Sequence, residues 1–214
     1  MTALFDAEAF IRATPESGIY ERQLRQQLDH LPRPYRAAFA AACAERLTPW
    51  SLKAGISADG DGEQLGICLD VVWESALHGS LRQPWLDALL RSCRAQLATA
   101  VDSPLRAILA CLETAQTGGA EDAVRTSQYV GRAWCEFERR DRGDTSLHRS
   151  LPPFHLLLER RRQCRDLSEL HKTAATPSPN VVGRLRDRAM TEAARIEDDP
   201  EEPRTGPRRQ AGGH

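Results

Sequence analysis

Three ionisable side chains recur at steps of four residues in the segment "ICLDVVWESALHG" at 67–79, namely Asp70, Glu74 and His78. Residues four apart are neighbours on one face of an α-helix, so this spacing could align two carboxylates and an imidazole for metal binding or acid–base chemistry. Metal sites in helical bundles, however, combine Glu-x-x-His motifs from two helices with glutamates from two others, and the sequence has no Glu-x-x-His. We therefore interpret the stripe as a solvated, salt-bridged helix face, and we expect neither a metal nor another cofactor.

A second polar cluster combines Glu45 and Arg46 with the carboxylates of the following helix. Arg46 lies at the edge of a predicted apolar face that begins with Tyr35. A partly buried guanidinium needs a carboxylate or carbonyl partner. We expect Asp70 or Glu74 to supply it, which would make the cluster a structural clamp between two helices. A small polar pocket for a ligand, built from Glu45, Arg46, Asp70 and Glu74, is the alternative.

Surface candidates for contact with a partner lie in the segment that follows Pro49. Trp50 comes just after this helix break and before the acidic, Gly-rich stretch "SADGDGE" at 57–63, so we expect it to be exposed. An exposed tryptophan is a typical hot spot for protein binding. The stretch lacks the glutamate that a calcium-binding loop needs at its twelfth position. We therefore assign to a partner-binding surface its acidic side chains Asp59, Asp61 and Glu63.

Two arginine-rich runs, "FERRDR" at 137–142 and "LERRRQCRD" at 158–166, fall on the last two helices predicted with a full apolar face. If those helices are antiparallel neighbours, the runs form one basic patch. Acidic residues are interleaved with the arginines, which favours Glu–Arg pairs and a protein partner over nucleic acid. The candidate binding residues in this patch are Arg139, Arg140, Arg142, Arg161 and Arg162.

Apolar residues repeat at helical spacing through nearly the whole sequence, which predicts an all-α protein. The cleanest pattern is at 63–77, and Gly79 follows it where a helix C-cap favours glycine. We predict a single compact bundle of about six to eight helices over 1–172. Residues 173–214 are predicted to be a linker and a largely disordered charged tail, with at most a transient helix at 181–196. Apolar spacing also places in the core the side chains of Trp73, Trp85 and Trp134.

Composition excludes several classes of protein. The chain has 29 Lys and Arg against 30 Asp and Glu, a net charge of −1, and this balance does not favour nucleic acid or an anionic membrane as the partner. No apolar run approaches the ~20 residues of a membrane span, and the acidic N-terminal segment does not resemble a signal peptide. The six cysteines form no Cys-x-x-Cys pair, which is typical of small buried side chains in a reducing compartment. We expect a cytoplasmic protein.

Two motifs carry a family resemblance. The stretch "LPRPYRAAFAAACAERLTP" at 31–49 is an Ala-rich helix that ends in Glu45 and Arg46 before Pro49, and "LDVVWE" at 69–74 follows it. Together with "DSPLRAILACLETAQTGGAEDAVRTSQ" at 102–128, these segments resemble the YjaG family of bacterial proteins over residues 31–170. The resemblance implies a compact helical bundle and no known reaction.

These observations predict a protein that works by binding another protein. No nucleophile elbow, P-loop, dinucleotide fingerprint or HExxH motif occurs in the sequence. The most concrete form is a bacterial immunity protein that binds and neutralises a cognate toxin. The alternatives are an adaptor or regulator in bacterial signalling and, behind it, a metal-dependent enzyme. Self-association as a homodimer is compatible with each of these.

Overall fold

The structure is a computed structural model that describes residues 7–12, 18–49, 61–79, 83–97, 103–142 and 154–198. Within these ranges the chain forms nine α-helices and no strand, which confirms the all-α class. In chain order the helices are α1 (Ala7–Arg12), α2 (Ile19–Asp29), α3 (Arg33–Glu45), α4 (Asp61–His78), α5 (Gln83–Leu97), α6 (Ser103–Thr117), α7 (Ala120–Arg142), α8 (Phe154–Lys172) and α9 (Pro179–Asp198).

Helix α3 lies at the centre of the bundle. Pro34 occupies its first turn, where the missing N–H of proline costs no hydrogen bond. Every side chain from Ala37 to Ala44 is buried, and six of these eight are alanine. Because alanine is small, neighbouring helices can approach α3 from all sides, and α4, α6, α7, α8 and α9 all contact it. The residue that follows α3 is therefore held in the interior.

Helix ends coincide with the breaks seen in the sequence. Gly79 ends α4 with φ +67°, and its N–H donates to the carbonyl of Ser75 at 2.9 Å, as predicted for a C-cap. Gly118 joins α6 to α7 with φ +68°, and the side chain of Arg33 lies where a Cβ at this position would be. Both positions use backbone conformations that other residues adopt only at a cost.

The bundle extends beyond residue 172, where the sequence analysis placed its end. Helix α9 packs against α3, α4 and α8, and it buries Val181, Val182, Leu185 and Ala189. The sequence analysis allowed at most a transient helix at 181–196, whereas the structure has a packed helix at Pro179–Asp198. These few apolar residues can pack here because the alanine surface of α3 accepts a close neighbour. The remainder of the predicted tail, 199–214, lies outside the described residues.

None of the helices in the described ranges combines the length and the hydropathy that crossing a bilayer requires.

Candidate functional site

Arg46, the residue that follows α3, is the centre of a buried ion-pair cluster. Its side chain has no solvent exposure, although it carries a full charge. The guanidinium donates to both carboxylate oxygens of Glu159, from Nε at 2.9 Å and from Nη2 at 2.8 Å. Its Nη1 donates to Oδ2 of Asp166 at 2.9 Å and lies 3.6 Å from Oε2 of Glu192. Arg46 therefore links α3 to α8 and α9.

The two main partners of Arg46 lie on one face of α8. Glu159 and Asp166 are seven residues apart, which is close to two helical turns, so both carboxylates point toward α3. Asp166 also accepts a hydrogen bond from Nη2 of Arg188 at 2.8 Å, and Glu192 accepts one from Nη2 of Arg165 at 2.5 Å. Each buried carboxylate in the cluster thus has at least one arginine partner, as the burial of charge requires.

Gln163 lies between Glu159 and Asp166 on α8 and extends the cluster toward α2 and α7. Its Nε2 donates to Oε1 of Glu159 at 3.0 Å. Its Oε1 accepts from the hydroxyls of Tyr20 at 2.8 Å and Ser127 at 3.0 Å, and these two hydroxyls are themselves in contact. We call this set the buried polar network, which consists of Tyr20, Arg46, Ser127, Glu159, Gln163, Asp166, Arg188 and Glu192.

The electrostatic environment of the network keeps Arg46 charged and the Cys43 thiol protonated. Burial would lower the pKa of Arg46, but the carboxylates of Glu159 and Asp166 raise it well above its ordinary value. Cys43, whose sulfur is 3.8 Å from Nη2 of Arg46, has a pKa raised by burial and further by Glu159. A thiol that stays protonated is a poor nucleophile. The geometry favours a structural clamp over a reacting centre.

The clamp exists, but the carboxylates proposed for it from the sequence are the wrong ones. Asp70 is 65% exposed and pairs with Arg186 of α9 at 2.5 Å. Glu74 is also exposed and lies 3.2 Å from Nε2 of His78. Both side chains point away from α3, because the face of α4 that packs on α3 is the apolar one. The stripe is a salt-bridged surface, as interpreted.

Glu45 has a hydrogen-bond partner of its own, although the charges of Arg186 and Asp70 also act on it. Its carboxylate accepts a hydrogen bond from Nε1 of Trp73 at 3.1 Å. Burial raises the pKa of Glu45, and the hydrogen bond from Trp73 lowers it in part. Glu45, Arg46, Asp70 and Glu74 therefore do not converge on one polar pocket.

The candidate partner-binding residues at 50–63 are only partly described. Trp50 and Asp59 lie outside the described residues. Asp61 and Glu63 belong to the first turn of α4, which begins two residues before the helical pattern predicted from residue 63. The error arose because the Gly- and Asp-rich composition before Leu65 is equally compatible with an acidic helix N-terminus.

Helices α7 and α8 are antiparallel neighbours, as the basic-patch hypothesis requires. Ser127 meets Gln163, and Trp134 stacks on His155. The expected arginines do not all share this surface, however. Arg139 is exposed near the end of α7, whereas Arg161 is exposed on α8, about two turns after that helix begins. Arg140 and Arg142 lie in the last turn of α7.

Arg162 is directed elsewhere. Only 22% of its side chain is exposed, and its Nε lies 3.8 Å from Oε2 of Glu192 on α9. Arg160 is buried, with its guanidinium 4.4 Å from the centre of the Tyr20 ring and donating to the carbonyl of Ile11. Arg160 and Arg162 therefore contact α1, α2 and α9 and do not belong to an exposed basic patch, whereas Arg161 is exposed like Arg139.

The three tryptophans within the described ranges divide into two groups. Trp73 and Trp134 are in the core as predicted, with 0% and 1% exposure. Trp85 is 59% exposed, which overturns its predicted place in the core. The prediction followed four-residue steps from Trp85 to Cys93, and each such step turns about 40° past a full helical turn. The buried face of α5 instead follows Leu86, Leu90 and Cys93.

In the part of the chain that the structure describes, no three His, Cys, Asp or Glu side chains are grouped so that they could hold a metal ion. Comparison of the chain with protein-family models, with curated proteins and with solved structures finds no match.

Proposed function

We propose that this chain is a non-enzymatic protein-binding protein, and most concretely a bacterial immunity protein that neutralises a cognate toxin in the cytoplasm. The observation that carries the proposal is the exposed indole of Trp85 in the first turn of α5. Tryptophan is strongly enriched among the residues that dominate binding energy at protein interfaces. Its exposure sets Trp85 apart from Trp73 and Trp134, which are fully buried.

The buried polar network also supports a non-enzymatic function, because a substrate cannot reach its centre. The charged side chains that could take part in catalysis have no solvent exposure, namely those of Arg46, Glu159 and Asp166. A substrate would reach them only if α8 or α9 moved away from α3. Their role in this proposal is to hold the bundle rigid, so that its surface presents a fixed shape to a partner.

Neutralisation would proceed by docking over the active site of the toxin. In this proposal Trp85 is the apolar anchor, and charged side chains form the polar rim that is typical of protein interfaces. Arg139 and Arg161 are exposed and suit an acidic partner surface. Trp50 and the acidic residues at 59–63 remain proposed contacts. Membership of the YjaG family likewise remains a proposal, carried by the residues that resemble it.

Coexpression with the product of an adjacent toxin gene tests this function. We expect rescue of growth and a tight 1:1 complex by size-exclusion chromatography with light scattering. Trp85→Ala should weaken the complex by at least about 30-fold, the effect of a ~2 kcal/mol hot spot. Met190 is also apolar and exposed but lies on α9. Met190→Ala is therefore the control for removal of an exposed apolar side chain outside the proposed anchor.

Absence of both growth rescue and a complex would refute the immunity function. Copurification of a signalling protein in place of the toxin would support the alternative, an adaptor or regulator. The mass of the free protein in the same experiment reports whether it is a homodimer.

A further inference from the structure

Two buried cysteines face each other across the interface of α4 and α5. The sulfur atoms of Cys68 and Cys93 are 4.0 Å apart, and each residue is 1% exposed. A disulfide has an S–S distance of about 2.05 Å, so both are free thiols in contact. No part of the proposed interface or of the buried polar network uses them.

Neighbouring contacts hold the two helices in register at this point. Gln64, one turn before Cys68, donates from Nε2 to the hydroxyl of Ser92 at 2.7 Å. Gln96 in turn donates from its Nε2 to Oε1 of Gln64 at 3.2 Å. These bonds lie on one side of the thiol pair and fix how α4 and α5 cross. The two sulfurs therefore meet in a region where other side chains also join α4 to α5.

We propose that Cys68 and Cys93 form an oxidation site at which hydrogen peroxide converts the two thiols into a disulfide that links α4 to α5.

The chemistry requires one thiol to react first and the other to resolve it. The two thiols share a hydrogen bond in which either sulfur can donate; with the Cys68 S–H as the donor, this bond lowers the pKa of Cys93 although burial opposes it. The Cys93 thiolate attacks one peroxide oxygen, the O–O bond breaks, and the products are a sulfenic acid and, after protonation, water. The Cys68 sulfur then attacks the sulfenic sulfur and displaces hydroxide, which takes the Cys68 proton to form a second water. Two thiols lose two electrons, and peroxide gains them.

The other cysteines provide an internal contrast. Burial raises the pKa of both Cys43 and Cys111 and keeps them as protonated thiols. Cys135 and Cys164 are partly exposed, and burial also raises their pKa values, that of Cys164 to about 12. Among the six, only Cys93 has a lowered pKa, and its hydrogen-bond partner is the thiol that would resolve the sulfenic acid.

Peptide mapping of the full chain after oxidation tests the proposal. The reduced protein is exposed to hydrogen peroxide under native conditions, remaining thiols are alkylated, and the peptides are identified by mass spectrometry. We expect a Cys68–Cys93 cross-linked peptide that a dithiol reductant removes. We also expect a Tm higher than that of the reduced protein by several degrees, because a disulfide restricts the unfolded chain.

Variants separate this site from general oxidation. Cys68→Ala and Cys93→Ala should abolish both the cross-link and the Tm increase, whereas Cys111→Ala, at a buried thiol on α6, should preserve both. The proposal is overturned if wild-type Cys68 and Cys93 both remain alkylatable, if either is linked to a different cysteine, or if the cross-link forms only in denaturant. The wild-type map decides between these outcomes even if a variant fails to fold.

Discussion

The guanidinium of Arg46 and the carboxylate of Glu159 form two parallel hydrogen bonds, and neither side chain is exposed to solvent. The residues are 113 positions apart in the chain, so the pair joins the end of α3 to α8. This fork geometry is specific to arginine and carboxylate. A buried charge without a partner is costly, so the loss of either side chain would leave the other as a destabilising charge in the interior.

The hydroxyl of Tyr20 should contribute measurably to stability, because it ends the buried polar network at α2. Tyr20→Phe removes the donor to Gln163, and the free energy of unfolding should fall by about 1–2 kcal/mol. Tyr129→Phe, at a partly exposed tyrosine of α7, is the matched control and should change it by less than about 0.5 kcal/mol. Urea unfolding followed by circular dichroism measures both. Equal effects of the two substitutions would contradict a role for the Tyr20 hydroxyl.

The attachment of α9 should weaken in acid through Glu169. Burial acts to raise the pKa of Glu169, but hydrogen bonds and charge from Arg188 and Arg184 lower it below the ordinary value of 4.5. A lowered folded-state pKa means that the contribution to stability is present above about pH 4.5 and is lost as the pH falls through the folded-state value.

NMR titration of the Glu169 carboxyl measures this effect directly. Arg188→Gln should move its pKa upward, whereas Arg195→Gln, at an exposed arginine of the same helix, should leave it unchanged. An unshifted titration in Arg188→Gln would show that the contact between Arg188 and Glu169 does not form in solution.

Substitution by alanine should change the stability of the protein in opposite directions at Gly118 and Gly183. Gly118 has φ +68° and the Arg33 side chain in the position of a Cβ, so Gly118→Ala should cost about 1–2 kcal/mol or more. Gly183 is in α9 with nothing near its Cβ position, so Gly183→Ala should stabilise the protein by about 0.5–1 kcal/mol. Thermal unfolding compares the two variants. Destabilisation by Gly183→Ala would mean that α9 is not helical at that residue.

Much of the fold was predictable because most helices here carry both an apolar face and a clear stop. Leu65 to Leu77 mark α4 at regular spacing, and Gly79 ends it. Helix α9 was underestimated, because its apolar residues are few and lie among arginines. Its packing depends on the small side chains of α3, which are more than 130 residues away in the chain.

The sequence predicted the burial of Arg46 in the candidate site but not the identity of its partners. The position of Arg46 at the edge of an apolar face correctly indicated a buried guanidinium that needs a carboxylate. Its partners could not be read from neighbouring segments, since Glu159 and Asp166 meet it through the tertiary arrangement of α3 and α8. One signal was available: Glu159, Gln163 and Asp166 place three polar side chains on a single face of α8, where a solvated stripe and a buried one look alike in sequence.

A double-mutant cycle on Arg46 and Glu159 tests the structural clamp most directly. Arg46→Met alone should reduce the free energy of unfolding by about 3–5 kcal/mol, because it leaves a buried carboxylate without its main partner. Arg46→Lys should recover only part of this loss, since lysine cannot form the fork. The double variant Arg46→Met/Glu159→Met should lose less free energy of unfolding than the sum of the losses in the two single variants. The difference, which is the coupling energy, should be about 1–3 kcal/mol. Strict additivity in urea unfolding, or a stable Arg46→Met protein, would contradict the account.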